Sequence, residues 1–331
     1  HSIIFKNRRQ GQKRIMTTIL VTGGAGYIGS GAAQQLLNEG YQVIIIDNLT
    51  KGRKELVPER STFYEGDLTN KTLVEEIFSN HDIDAVMHFA AYKAVGESMN
   101  DAIKYSDNIT GSLALLNAMV KHDVKQIIFS STAAVYGEGN ETAITEEETI
   151  TPTSYYGATK HLVEENIKWY HKIHGMTYTI LRYFNVAGDT GAGYIDSKAE
   201  NIFPIISEVI SGTREKLTIF GDDYDTPDGT GVRDYIDVND LIDAHIKALS
   251  QEESHTLNLG TGKGYSVLEL VKAFEKVVGN KIPYEIGNRR KGDPALIVAS
   301  YEKASEALDW SPQRSIEETV RNTVDAYSRS S

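Results

Sequence analysis

The chain reads as an α/β protein, on three observations. Short apolar runs alternate with helical patterns from Thr18 onward, these runs are apolar at every position rather than at every second one, and a glycine-rich turn joins the first run to the first helix. Continuous apolar strands separated by helices predict a parallel sheet covered on both faces.

Taken in order, Thr18–Thr22 is the first strand. The helix after it carries Ile28, Ala32, Leu36 and Leu37 on one face and stops at Gly40. Val43–Ile46 is a second buried strand. Further strands are expected at Thr62–Tyr64, Ala85–Phe89, Gln126–Ser131, Tyr178–Leu181 and Thr256–Leu259, with helices between most of them. After Asn185 the rhythm breaks. Residues 186–235 are rich in Gly, Asp and Thr and hold one clear helix, near 201–211, and residues 262–331 are mixed. The expected organisation is a Rossmann-type doubly wound domain, residues 16–185 with about 236–261, and a smaller mixed α/β cap, residues 186–235 with 262–331. Residues 1–15 carry five basic side chains and no acidic one. They read as a leader or expression segment ahead of Met16, with a basic transit peptide as the other reading.

Composition excludes several function classes. Thirty-four basic against 46 acidic residues leave a net charge of −12, which argues against nucleic acid or an anionic membrane surface as partner. Without cysteine there is no disulfide, thiolate metal site or cysteine nucleophile, in keeping with a reducing, cytoplasmic setting. No apolar run approaches the ~18–20 residues needed to span a bilayer.

The turn Thr22-Gly-Gly-Ala-Gly-Tyr-Ile-Gly29 spaces Gly23, Gly26 and Gly29 for a tight turn, close approach of a pyrophosphate, and close helix–strand packing. Phosphates would then meet the free N–H groups and positive end of the helix. Asp47, at the end of the next strand, is placed to accept from the adenosine ribose hydroxyls, which favours NAD over NADP. Asp67, after the third strand, has two readings: a partner for the adenine amine, or a cap before Thr69.

Tyr156-Gly-Ala-Thr-Lys160 places a phenol and an ammonium on one helix face. A second pair with this spacing, Tyr194 and Lys198, lies in a Gly-rich loop. Only Tyr156 follows a strand ending Phe129-Ser-Ser-Thr132 and opens a long helix, running to about His174. An ammonium beside the phenol is expected to lower its pKa toward working pH, giving a base for a hydroxyl proton while hydride leaves for nicotinamide. Thr132 offers a hydroxyl to the same reacting oxygen. Arg233 and Arg290, from separate cap segments, suit a diphosphate through their planar forks. His171 and His174 read as helix C-terminal charges rather than a metal pair. Glu146–Glu148 reads as a solvated loop, and Trp169 and Tyr170 as a subunit contact or core.

With these residues in view, the chain resembles the extended short-chain dehydrogenase/reductase family and, within it, the UDP-glucose 4-epimerases. The likeness rests on the motifs above and on Asp47-Asn-Leu49, Glu65-Gly-Asp67, His88-Phe-Ala-Ala91, Lys93-Ala-Val-Gly-Glu-Ser98, Arg182-Tyr-Phe-Asn185, Phe220-Gly-Asp-Asp-Tyr224, Asp228-Gly-Thr-Gly-Val-Arg-Asp-Tyr235 and Arg289-Arg-Lys-Gly-Asp293. It implies Tyr156 as base, Lys160 as activator and cofactor clamp, and Thr132 as substrate partner. It further implies NAD contacts from Tyr27, Ile28, Asp47, Asn48, Asp67, Leu68, Phe89, Ala90, Ala91, Lys93, Asn108, Tyr183 and Phe184. UDP-sugar contacts would come from Lys93, Asn185, Asn201, Arg233, Arg290 and Asp293. Ile297, four beyond Asp293, would limit room beside the sugar's 2-substituent. Gly31 and Asp237 stand where relatives commonly carry His. The implied reaction is reversible epimerisation at C4 of a UDP-hexose through a 4-keto sugar, by a homodimer joined through the catalytic helix and the helix near 108–121. The resemblance leaves another NAD-dependent nucleotide-sugar enzyme, of the 4,6-dehydratase or decarboxylase type, as the alternative; a dehydratase would need acid/base residues just after Thr132, where this chain has Ala133 and Ala134. A non-catalytic NAD sensor would have no use for Tyr156 and Lys160.

Overall fold

The structure, a computed structural model, describes residues 17–137, 143–194, 201–290 and 293–330. Its strands and helices alternate as β1 (Thr18–Thr22), α1 (Tyr27–Asn38), β2 (Gln42–Asp47), β3 (Thr62–Glu65), α2 (Lys71–Asn80), β4 (Ala85–His88), α3 (Val95–Ser98), α4 (Ala102–Lys121), β5 (Gln126–Thr132), α5 (Tyr155–His174) and β6 (Thr177–Tyr183). There follow β7 (Asn185–Ala187), α6 (Ile202–Ile210), β8 (Leu217–Phe220), β9 (Val232–Asp237), α7 (Val238–Ala248) and β10 (His255–Leu259). The chain closes with β11 (Gly264–Ser266), α8 (Val267–Val278), β12 (Tyr284–Gly287), β13 (Leu296–Ile297), α9 (Glu302–Leu308) and α10 (Ile316–Ser330).

Seven strands form one sheet in the order β10-β6-β5-β4-β1-β2-β3. The pairs β1–β2, β1–β4, β2–β3 and β4–β5 are parallel. The order reverses at β1, so the crevice outside the carboxyl ends of β1 and β4 is where such a sheet takes a ligand. Its strands are buried end to end at Thr18–Thr22 and Ala85–His88, as continuous apolar runs require. Leu20, Ile44, Val86, Ile127 and Phe129 from the sheet pack with Leu115, Met119, Val163 and Ile167 from the helices.

Local chemistry sets the helix ends that matter. Ser154 caps α5 by accepting from the Gly157 amide at 3.1 Å, and Gly175 closes it with φ +65°. His171, Lys172 and His174 sit in its last turn, where cations oppose the helix dipole. His171 Nδ1 lies 2.6 Å from the Met176 carbonyl oxygen, and among the described residues no group of acidic and histidine side chains is placed to hold a metal. Nor is any described helix long and apolar enough to cross a membrane.

Two compact units emerge among the described residues. The first holds 17–135, 154–181 and 242–256; the second holds 136–153, 182–241 and 257–330. The second has its own core around Phe203, Phe274, Tyr235 and Ile219. Its strands form two small sheets, with β9 pairing antiparallel to β11 and parallel to β7 and β13, and β8 parallel to β12. Residues 136–153, which the sequence leaves with the first domain, group with the second. The reason is hydrogen bonding: Ile144 N–H donates to the Val298 carbonyl at 2.8 Å, and Asn258 donates to Glu146 at 2.7 Å.

Candidate active site

Parallel strands bring their carboxyl ends to one edge of the sheet. Thr22 ends β1, Asp47 ends β2, His88 ends β4 and Thr132 ends β5. Of the other residues predicted for the first domain, Asp67 follows β3 by two residues, and Phe89 and Ala90 follow β4 directly.

The glycine turn has the conformation its sequence suggests. Gly23 adopts φ +73°, and a Cβ there would stand 2.8 Å from the Ala90 amide nitrogen. At Gly29 a Cβ would meet the Gly23 carbonyl oxygen at 2.2 Å. Both positions exclude a side chain by backbone contact, so the turn packs closely on the segment after β4 and on the start of α1. No side chain caps α1 at Gly26, and a helix N-terminus is where phosphate oxygens bind. Asp47 is buried and accepts from Ala25 N–H at 3.0 Å through one oxygen and from Leu49 N–H at 2.8 Å through the other. Each oxygen keeps a lone pair for a ribose hydroxyl. Burial raises its pKa, against the two amide bonds. These residues fit a dinucleotide.

Asp67 turns out to serve as a turn anchor. Its Oδ1 accepts from the Thr69 amide and hydroxyl at 2.8 and 2.7 Å, and Oδ2 accepts from Asn48 Nδ2 at 2.6 Å, while Asn70 is the cap of α2. Leu68 packs its side chain into the core, so a cofactor contact from it would be through its backbone. Phe89 lies against the His245 ring, centroids 4.9 Å apart. Asn108 is buried on α4. Its Oδ1 accepts from Tyr92 N–H at 2.8 Å, and its Nδ2 donates to the Tyr92 carbonyl at 3.0 Å and to Thr159 Oγ1 at 3.3 Å. It thereby ties the segment after β4, which includes Ala90, Ala91 and the exposed Lys93, to α5. Tyr27 and Ile28 open α1 half-buried, and Tyr183 and Phe184 are buried at the end of β6.

Tyr156 and Lys160 share one face of α5. The Tyr156 amide donates to Ser98 Oγ at 3.1 Å, fixing the first turn. Tyr156 is half-buried, and a hydrogen bond from the Thr132 hydroxyl favours its phenolate. Thr132 Oγ1 also accepts from Ala134 N–H at 3.1 Å. Lys160 is buried, donates to the Ser130 carbonyl at 2.6 Å, and lies 4.8 Å over the Phe129 ring. The expected fall in the tyrosine pKa is not what the protein alone produces. Burial pushes the phenol up to about 12, with the Thr132 bond opposing it. The cation itself is drawn down to about 7 by burial, with the Glu164 charge opposing. Desolvation outweighs local attraction at both groups. Of the competing pair, Tyr194 is described and Lys198 lies outside the described residues.

In the second unit, Arg233 pairs with Asp293 at 2.6 Å, and Asp293 also accepts from the Tyr224 hydroxyl at 3.0 Å. Arg289 lies 3.9 Å over the Tyr224 ring and Arg290 lies 4.0 Å over the exposed Phe220 ring. Ile297 is half-buried and stands in register with Arg233 across β13 and β9. Asn185 donates to the Asp234 carbonyl at 3.2 Å; Asn201 caps α6 and donates to the Val186 carbonyl at 3.1 Å. Lys291 and Gly292, inside the Arg289–Asp293 motif, lie outside the described residues.

Sequence reasoning missed two buried groups beside the pair. His88 ends an apolar strand, and Glu164 follows Lys160 by four residues on a face otherwise shared with Val163 and Ile167; both are buried. A polar residue at a core-facing position was the available signal.

The NAD dependent epimerase/dehydratase family model matches residues 19–260. The UDP-glucose 4-epimerase of Halalkalibacterium halodurans is 46% identical over 310 residues, spanning 91% of this chain and 92% of that protein. A solved UDP-glucose 4-epimerase from Bifidobacterium longum, in complex with NAD+ and UDP, superposes with a TM-score of 0.89 at 41% identity, covering 95% of this chain and 98% of its own. The Thermotoga maritima enzyme with UDP-glucose gives 0.87 at 36% identity, covering 95% and 99%. The chain is therefore a member of the NAD dependent epimerase/dehydratase family and, within it, of the UDP-glucose 4-epimerases.

Proposed function

We propose that Tyr156, Lys160 and Thr132 carry out NAD-dependent epimerisation at C4 of a UDP-hexose, interconverting UDP-glucose and UDP-galactose. The observation that carries this assignment is Tyr156 one helical turn before a buried Lys160 that grips Ser130 of β5, the strand that ends at Thr132. NAD, bound by the glycine turn and Asp47, supplies a reversible hydride acceptor. Tyr156 takes the proton of the 4-hydroxyl and later returns it. Lys160 supplies the positive charge that makes phenolate affordable in an enclosed site. Thr132, which also accepts from the Ala134 amide, gives a hydrogen bond to the oxygen that gains charge. Arg233 and Arg290 hold the diphosphate, Asp293 sets the Arg233 fork, and Asn185 and Asn201 complete the sugar-nucleotide contacts. Turnover of the flat 4-keto sugar lets the hydrogen and the proton return on the opposite face.

Dehydration is disfavoured by the residues after Thr132. Ala133 and Ala134 begin a short 3-10 turn, Ala133–Tyr136, and neither can protonate a leaving hydroxyl. The holoenzyme is expected to convert UDP-galactose to UDP-glucose without growth of reduced-nicotinamide absorbance. Growth stoichiometric with substrate would make the protein a dehydrogenase.

A homodimer is supported by α5. Leu162, Trp169 and Ile173 are exposed at spacings of seven and four residues, one apolar face on the catalytic helix. Tyr170 instead turns inward, its hydroxyl donating to Asn117 at 2.7 Å. The cysteine-free composition supports a cytoplasmic setting, and the UDP-glucose/UDP-galactose pair supports a place in galactose metabolism.

Ile297 sets the sugar size in this reading, since it borders Arg233. An overpacked contact with the acetamido group costs ~1–3 kcal/mol, or about 5- to 150-fold in rate. UDP-N-acetylglucosamine is expected to be a weak substrate. Ile297→Ser should raise that activity and Ile297→Tyr abolish it. Rates unchanged by both substitutions would show that another residue limits the site.

A further inference from the structure

The ammonium of Lys160 sits where charge is costly, and its direct contacts do little to offset it. It donates to a neutral carbonyl, Ser130 O, at 2.6 Å and faces the Phe129 ring. Its neighbours include four titratable groups: Tyr156, His161 and Glu164 on α5 and His88 on β4.

His88 is held neutral by its partners. Ser112 Oγ gives its proton to the Asn108 carbonyl at 2.6 Å, so it accepts from His88 Nε2 at 2.8 Å. That leaves Nδ1 to accept from Thr22 Oγ1 at 2.7 Å. With one ring N–H, His88 adds no charge. Tyr156 is a neutral phenol in the resting protein. His161 Nδ1 lies 4.0 Å from Glu164 Oε2, outside hydrogen-bond reach. Glu164 is left as the negative member. It is fully buried, one helical turn past Lys160, and its Oε1 accepts from Ser131 Oγ at 2.5 Å. Lys160 and Glu164 thus grip adjacent residues of β5 from the same helix face.

We infer that Glu164 is a positioning residue for this reaction: it is the buried counter-charge that favours the ammonium form of Lys160, and so favours a positive field on Tyr156. The inference rests on the roles given to Tyr156 and Lys160 above. Its physical basis is that burial disfavours the ammonium while an opposite charge one turn away favours it. Both influences act on Lys160, and their balance leaves it at about 7. Without the carboxylate the balance tips to the neutral amine inside the working pH range.

The test is the pH profile of kcat/KM on holoenzyme carrying Glu164→Gln, Glu164→Asp, Ser131→Ala or Lys160→Met. Glutamine keeps an acceptor for Ser131 and removes only the charge. The alkaline limb should move toward acid by about one unit, lowering activity about tenfold at pH 8 but only about twofold at pH 6. Glu164→Asp and Ser131→Ala keep the charge and should leave the limb in place, even where they lower stability. In Lys160→Met the limb should vanish from the residual activity. If it vanishes there but stays put in Glu164→Gln, Glu164 is structural and the inference fails alone. If the limb persists in Lys160→Met, it belongs to another group, and the reading of Lys160 fails and takes this inference with it.

Discussion

Tyr156→Phe is expected to lower turnover by ~10²–10⁴-fold, the usual contribution of a general acid–base group, while UDP-sugar binding survives. The change removes one oxygen and leaves the ring, so packing of α5 against β5 is kept. The lost oxygen is the one that Thr132 orients. Arg233, Arg290 and Asp293 belong to the second unit and are untouched, which is why binding should persist. Calorimetric titration with UDP-glucose, set beside turnover, separates the two effects. Tyr194→Phe is the internal control and should change little. If both variants behave alike, the chemistry does not reside in Tyr156.

The second large effect is on acid stability. His88 is buried and neutral, its pKa pushed down to about 3 by burial and, second, by the Lys160 charge. In the unfolded chain a histidine titrates near ~6.5. Between these values the unfolded chain binds a proton that the folded one does not, so stability rises with pH across the window. The stabilisation is complete above ~6.5 and falls by up to ~1.4 kcal/mol per pH unit below it, on the order of 4 kcal/mol by pH 3. His88→Asn should be less stable than wild type at pH 8, because Thr22 and Ser112 lose a shared partner. Its stability should nevertheless decline less steeply between pH 6.5 and 4. Denaturant unfolding at several pH values gives both slopes. Parallel slopes would mean that His88 is not the neutral link between Thr22 and Ser112.

Much of the first unit was legible because its strands are buried on both faces and read as unbroken apolar runs. Val43–Ile46 and Gln126–Ser131 fall within one residue of the strand ends found, and the catalytic helix ends at His174 as its glycine stop indicates. The short strands of the second unit were less visible. β13 has two residues and β7 three, and partners far away in sequence define them. The same holds for 136–153, whose membership depends on Val298 and Asn258. At the site, spacing singled out Tyr156 and Lys160, but the sign of the tyrosine shift depends on burial, which spacing does not encode. Glu164 was within reach: positions 156, 160 and 164 repeat at one helical turn, and a carboxylate on that face needed a purpose.

The central claim is that one tyrosine serves both faces of a sugar whose C4 hydrogen leaves and returns without meeting solvent. The direct measurement is NMR of the holoenzyme in ordinary water with UDP-galactose deuterated at C4. The expected result is UDP-glucose that keeps the deuterium at C4, with no growth of reduced nicotinamide. Deuterium lost to water, or a product lacking its 6-hydroxyl, would contradict the account.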